Sequence, residues 1–208
     1  MQKDIRALRR RVFIDFAMRH QRPGTGSMLC VEARPVATEW PDLAPVLGGI
    51  RWAVVGAVAT RLYMPERATI DLDIAVEAVD LQAAEERLRS AGFRARGSLA
   101  IGGSAWWSRD NRMVDLIELK QPWARLALRE AQESRGVDFP VLGLPFLILM
   151  KLESGRSQDI ADVTRMLGYA KDEQLEQTRE VIAEYQPGMA ADLESFIVLG
   201  RLEIAGQT

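Results

Sequence analysis

Asp71 and Asp73 stand two positions apart in "WAVVGAVATRLYMPERATIDLDIAV", a stretch that otherwise reads as buried. In an extended strand, residues i and i+2 share a face roughly 7 Å apart, so two carboxylates converge on one small volume. Left unpaired they would repel, and their burial would cost several kcal/mol or force one to keep its proton. A divalent cation removes that penalty, since Mg²⁺ favours carboxylate oxygen together with water and substrate phosphate. Asp115 interrupts a second apolar run, "MVDLIEL", and from a neighbouring strand would bring a third carboxylate. Three such groups can hold two cations roughly 3.5 to 4 Å apart, which activates an attacking hydroxyl and neutralises a triphosphate during in-line displacement. The plainer alternatives are a solvent-facing sheet edge for Asp71 and Asp73, and pairing with Arg109 or Arg112 for Asp115.

Gly56 supplies the complementary half. A glycine between a strand and a helix lets backbone N–H groups approach phosphate, with the helix N-terminus adding favourable partial charge. The rest of the inventory narrows the chemistry. Cys30 is the single cysteine and His20 the single histidine, so neither a disulfide nor a cysteine/histidine zinc cluster can form within the chain, and histidine-assisted nucleophilic catalysis is disfavoured. Catalysis is left to carboxylate, lysine, arginine and hydroxyl groups. The net charge of -2 gives no global nucleic-acid signature. The apolar run "VLGLPFLILM", broken by Gly143 and Pro145, is too short to span a bilayer. An unpaired thiol and the lack of a signal-peptide pattern point to the cytoplasm.

The elements that must position these groups follow from periodicity and punctuation. Residues 3–20 place Ile5, Leu8, Val12 and Phe16 at helical spacing with arginines on other faces, before the break "QRPGTGS". Met28 is a candidate start. "DLAPVLGGI" predicts a helix capped by Asp42 and ended by glycine. "RWAVVG" predicts a short strand that turns at Gly56 into a helix through Tyr63, stopped by Pro65. "TIDLDIAV" alternates as a strand, and Asp80–Ala91 forms an amphipathic helix with Asp80 as cap. "SAWWSRDNRMVDLIEL" predicts a hairpin in which Trp106 and Trp107 point to opposite faces and one is core; base stacking by the other is the lesser of its readings. "LPFLILMKLESG" and "SQDIADVTRMLG" predict helices ended by Gly155 and Gly168, and more helix follows, broken at Pro187 and Gly188. Asp159 and Asp162 share a helical face and are placed to orient Lys151, whose other reading is a snorkelling side chain with its ammonium in water. The fold class is α+β.

"VVGAVATRLY", "RATIDLDIAV" and "MVDLIEL" together resemble the nucleotidyltransferase fold of the polymerase-beta superfamily, and more nearly its AbiEii and MenT type of toxin nucleotidyltransferases. The resemblance covers roughly residues 45–170, including "LPFLILMKLESGRSQDIADVTRML", where a lysine precedes an acidic D-x-x-D helix start. It implies a nucleotidyltransferase-like mixed sheet flanked by helices and leaves the N-terminal segment and the C-terminal helices unexplained; the expected division of the chain is a basic amphipathic segment at 1–27, a core at 28–140 and a helical part at 141–208. It further implies that Asp71, Asp73 and Asp115 bind two Mg²⁺ ions, that Gly56 and Ala57 hold the triphosphate, and that Lys151 and Arg67 contact phosphate or substrate. The expected reaction moves a nucleoside monophosphate from a nucleoside triphosphate to a hydroxyl of RNA, tRNA or protein, in a toxin with an antitoxin partner. Ala57 departs from the pattern, which has serine or a second glycine there. That departure favours the alternative of a catalytically weak or inactive module binding a nucleotide or a partner.

Overall fold

The computed structural model describes residues 40–65, 69, 71–133 and 139–206. The N-terminal helix expected at 3–20, His20, Met28, Cys30 and Arg67 lie outside them. The described residues fall into two compact units, one drawn from 40–61 and 69–143 and the other from 62–65 and 144–206. No helix among the described residues is long and apolar enough to cross a membrane.

The first unit is built on a mixed sheet. In chain order it contains β1 (Trp52–Val54), α1 (Gly56–Thr60), β2 (Asp71–Glu77), α2 (Leu81–Ser90), β3 (Arg94–Ser98), β4 (Gly103–Trp107), β5 (Met113–Leu119) and α3 (Ala124–Glu133). The strands lie in the order β1-β2-β5-β4-β3. β1 pairs antiparallel with β2, β2 pairs parallel with β5, and β5, β4 and β3 continue antiparallel. The expected α+β class is therefore the class observed. The hairpin is β4–β5, and its return strand runs beside the D-x-D strand.

Alternation along the strands sorts the two faces. Leu72, Ile74 and Val76 of β2, with Val114 and Leu116 of β5, are at most 3% exposed and form the core face. Trp106 joins them, its indole N–H donating to Ser104 Oγ at 2.8 Å. α2 lies on this face, because Ser104 Oγ donates to Glu85 at 2.6 Å and the Arg89 guanidinium sits 5.6 Å from the Trp106 ring centre. α3 packs against β1 and β2 and buries Ala124, Ala127, Leu128 and Ala131, the spacing of one helical face.

Four local expectations need correction. "DLAPVLGGI" forms turns rather than a helix: Asp42 Oδ1 accepts from the Ala44 N–H at 3.0 Å, and Pro45 with the glycine pair stops propagation after one turn. The helix after Gly56 ends at Thr60, with turns from Arg61 to Tyr63. Asp80 precedes α2 but makes no side-chain cap bond, because a short 3₁₀ turn at Ala78–Asp80 already gives it helical backbone angles. β3 and α3 have no counterpart in the expected order. β3 is exposed along its length and lacks the apolar alternation that marks a strand.

The second unit is helical: α4 (Leu144–Ser154), α5 (Ser157–Tyr169), α6 (Asp172–Tyr185) and α7 (Ala190–Ala205). α4 is apolar nearly all round and packs on α5 and α6, while α5 packs on α7. Gly168 stands one residue before the end of α5 at Tyr169 and also serves a packing role. It lies inside α5 against α7, where a Cβ would come within 2.7 Å of the Gly200 carbonyl oxygen. A Cβ on Gly200 would in turn overlap the Thr164 carbonyl oxygen and approach the Gly168 nitrogen at 2.8 Å. The two glycines let the backbones of α5 and α7 touch.

Candidate active site

The parallel register sets Asp73 opposite Asp115, with Asp71 opposite Met113 one pleat away. Partners in register point to the same face, so all three acids share the face opposite Leu72, Ile74 and Leu116. An oxygen from each of Asp71, Asp73 and Asp115 lies within 4.8 Å of the others, and all three residues are half-buried. Two oxygens bound to one Mg²⁺ at about 2.1 Å can be roughly 4.2 Å apart at most, so the cluster is close to coordination spacing as it stands.

The individual carboxylates are held differently. Asp71 Oδ1 accepts from Thr69 Oγ at 2.5 Å, which fixes its rotamer. Thr69 was not singled out in the sequence, although its i−2 position puts it on the acid face. Asp115 Oδ1 is buried and has no hydrogen-bond partner among the described residues. Burial, and secondarily the negative charge of Asp71, push the Asp115 carboxyl up to about 6, with Arg96 opposing. An oxygen so placed lacks a cation or a proton donor. The donor set thus fits the hard, oxygen-seeking Mg²⁺ ions that the sequence suggested.

Gly56 has a reason the sequence could not show. Its φ is +62°, and a Cβ there would overlap Asp73 Oδ2 and lie 2.5 Å from Asp73 Cγ. The Asp73 carboxylate therefore rests where any other residue at 56 would carry its side chain. The Val55 N–H donates to the Asp73 carbonyl at 2.9 Å, tying the turn to β2. The first N–H groups of α1 have no acceptor within the helix and follow directly from Gly56. Ala57 is 4% exposed and its carbonyl accepts from Thr60 Oγ at 2.7 Å.

Lys151 belongs to the helical unit. It is buried on α4, and its ammonium donates to Asp159 Oδ1 at 2.8 Å and Asp162 Oδ2 at 2.9 Å. Asp159 Oδ2 also accepts from Ser154 Oγ at 2.5 Å and Arg156 Nε at 2.6 Å. Burial alone would raise the Asp159 carboxyl, but the Lys151 and Arg156 charges with the Lys151 and Ser154 hydrogen bonds outweigh it and hold it below the usual carboxylate range. The snorkelling alternative is overturned, since the ammonium is not in water. Its charge is committed to two carboxylates one helical turn apart.

Of the paired tryptophans, Trp106 is core and Trp107 lies half-buried on the acid face. Trp107 pairs with Met113, and its ring is covered by the Arg96 guanidinium 5.8 Å from the centroid. Arg96 escaped notice because "RARGS" carries no strand signal; Trp107 signalled only through aromatic alternation.

No protein-family model matches the chain, and no curated protein matches it. Among solved structures, the chain is similar to the antibiotic-resistance factor ANT(2'')-Ia in solution, at 13% identity and TM-score 0.40 over 76% of this chain and 85% of that one. It is also similar to ANT(2'')-Ia in complex with adenylyl-2''-tobramycin, at 15% identity and TM-score 0.39 over 74% of this chain and 89% of that one.

Proposed function

We propose that this protein is a Mg²⁺-dependent nucleotidyltransferase that moves a nucleoside monophosphate from a nucleoside triphosphate to a hydroxyl acceptor and releases pyrophosphate. The supporting observation is the convergence of Asp71, Asp73 and Asp115 with one buried carboxylate oxygen lacking a partner. Bound Mg²⁺ would supply charge neutralisation for the triphosphate and acidify the acceptor hydroxyl. Asp71 and Asp73 would hold the cations. Gly56, Ala57 and the start of α1 receive the triphosphate, with Arg67 as a further phosphate contact. Asp115 faces the acceptor. The acceptor oxygen bonds to the α-phosphorus as the bond to the bridging oxygen breaks, pyrophosphate departs, and the hydroxyl proton is taken by the Asp115 carboxylate. Lys151 acts by organising α4 and α5 through Asp159 and Asp162.

Labelling total RNA and total protein with each radiolabelled triphosphate identifies donor and acceptor together. Asp71→Asn should retain the fold, by circular dichroism, and lose transfer by at least about a hundredfold, the scale of removing a charge from a transition-state clamp. Full transfer by that variant removes the proposal. Ala57 favours a second reading, a nucleotide- or partner-binding module with weak or no catalysis. Calorimetry with each triphosphate, with and without Mg²⁺, paired with a pyrophosphate assay, separates the two. A cytoplasmic toxin role acting on RNA or protein, with an antitoxin partner, belongs to the same proposal. It predicts that induction alone arrests growth and that a neighbouring gene restores it.

A further inference from the structure

α7 has four sides, and three of them are accounted for. α5 packs on the first, where Thr164 and Gly168 meet Gly200. α6 flanks the second: Arg179 donates to Glu194 at 2.6 Å, and Arg201 donates to Asp172 at 3.0 Å. The third faces solvent, with Val198 53% and Leu202 40% exposed. At about 100° per residue, Asp192, Leu199 and Glu203 fall on the fourth, roughly 60–100° from Gly200 on the side away from Glu194. That side does not face solvent, since Leu199 is 0% and Asp192 3% exposed and Glu203 is half-buried. Among the described elements, α5, α6 and the turn at Pro187–Met189 are the main ones that pack on α7. Burial of the fourth side calls for a further element.

We propose that the fourth side of α7 seats the basic segment at residues 3–20 of the same chain, with its apolar stripe inward. The inference is independent of the transfer reading. Residues 1–27 carry seven Lys or Arg against two Asp, and α6 and α7 together carry eight Asp or Glu against two Arg. Opposite net charge on segment and seat favours their encounter and excludes wrong partners. Ile5, Leu8, Val12 and Phe16 give the segment an apolar stripe to set on Leu199. Arg9, roughly 60° round from Val12, borders that stripe and brings a cation to an acidic rim. Residues 21–39 form a tether that extends to roughly 60 Å, more than a domain of this size spans, so its length does not restrict where the segment lands. A tether of that length holds the segment at an effective concentration on the order of millimolar, which favours it over a second copy at micromolar. A nucleic-acid strand or an anionic membrane would draw the arginines away and leave Leu199 without an apolar cover.

Hydrogen exchange of the full-length protein, read by mass spectrometry, tests the seat without any ligand. Amides of 3–20 should exchange at least about tenfold slower than an unstructured chain, and equally so between about 1 and 50 μM protein. Val12→Asp should bring 3–20 to within about threefold of unstructured rates and speed exchange in Ala190–Ala205, while Asp71–Glu77 stays as in the wild type. Glu203→Lys, at the half-buried rim, should speed exchange in 3–20 several-fold with Asp71–Glu77 again unchanged. The seat is overturned if 3–20 exchanges as an unstructured chain in the wild type, or is protected only as concentration rises, which makes a second copy the cover. It is equally overturned if protection of 3–20 appears only on adding an oligouridylate or phosphatidylglycerol vesicles, or if Val12→Asp frees 3–20 and leaves Ala190–Ala205 unchanged. Should Val12→Asp unfold the sheet as well, Glu203→Lys decides: exchange of 3–20 at the wild-type rate in that variant overturns the seat.

Discussion

At Asp115 the proposed metal role runs against stability within one side chain. Its carboxyl is pushed up to about 6, first by burial and then by Asp71, against Arg96. An unfolded aspartate titrates near 4. Without metal, the folded state therefore holds this proton more tightly, and the stability it contributes is present below about pH 4 and lost as pH rises through about 6. Asp115→Asn should raise the Tm of the metal-free protein at pH 8, leave it unchanged near pH 4, and weaken Mg²⁺ binding; thermal scans across pH with and without Mg²⁺ check all three. Gly56→Ala should cost about 2–4 kcal/mol, combining the left-handed backbone with overlap on Asp73. Mg²⁺ affinity should fall with it, as chemical denaturation and calorimetry can show. The D-x-D pair was legible from spacing because a strand has period two. The need for glycine at 56 was legible only as a turn, since what presses on it is a carboxylate from another strand.

Elements show where local rules compete with packing. Gly168 ends an apolar pattern and so resembles a helix stop, yet the nearness of α7 is what requires it. Gly200→Ala should destabilise by about 1–3 kcal/mol by forcing α5 and α7 apart, measured by denaturant titration, whereas alanine at an ordinary helical glycine would stabilise. The joint between α4 and α5 is an ion network rather than a helix cap. Removing Lys151 leaves Asp159 and Asp162 buried without their common cation, so Lys151→Ala should cost about 3–5 kcal/mol. Since Asp159 is held below the usual range, its share of stability in the wild type persists above the unfolded carboxylate value and is lost as pH falls through the lowered one. The D-x-x-D spacing announced a shared helical face; that the lysine is sequestered there depends on the depth of α4, which sequence alone does not measure.

At the scale of the whole molecule, the α+β class was legible because strand and helix periods alternate along the chain. The strand order was not, since nothing in β2 or β5 names the other as its neighbour. Mg²⁺ should raise Tm with concentration as binding to the folded state requires. Its hydrogen-exchange protection should concentrate in Asp71–Glu77 and Met113–Leu119, leaving 144–206 unchanged, if the acids alone receive the ion. The parallel pairing of those two strands also sets a clock. Parallel neighbours need a crossover connection, here carrying α2, β3 and β4, so the third acid joins the first two only after a long stretch has been synthesised. A ribosome that has released β2 but not Leu119 holds a polypeptide with two aspartates of the cluster and not the third, so the proposed metal site can assemble only once translation has passed that point.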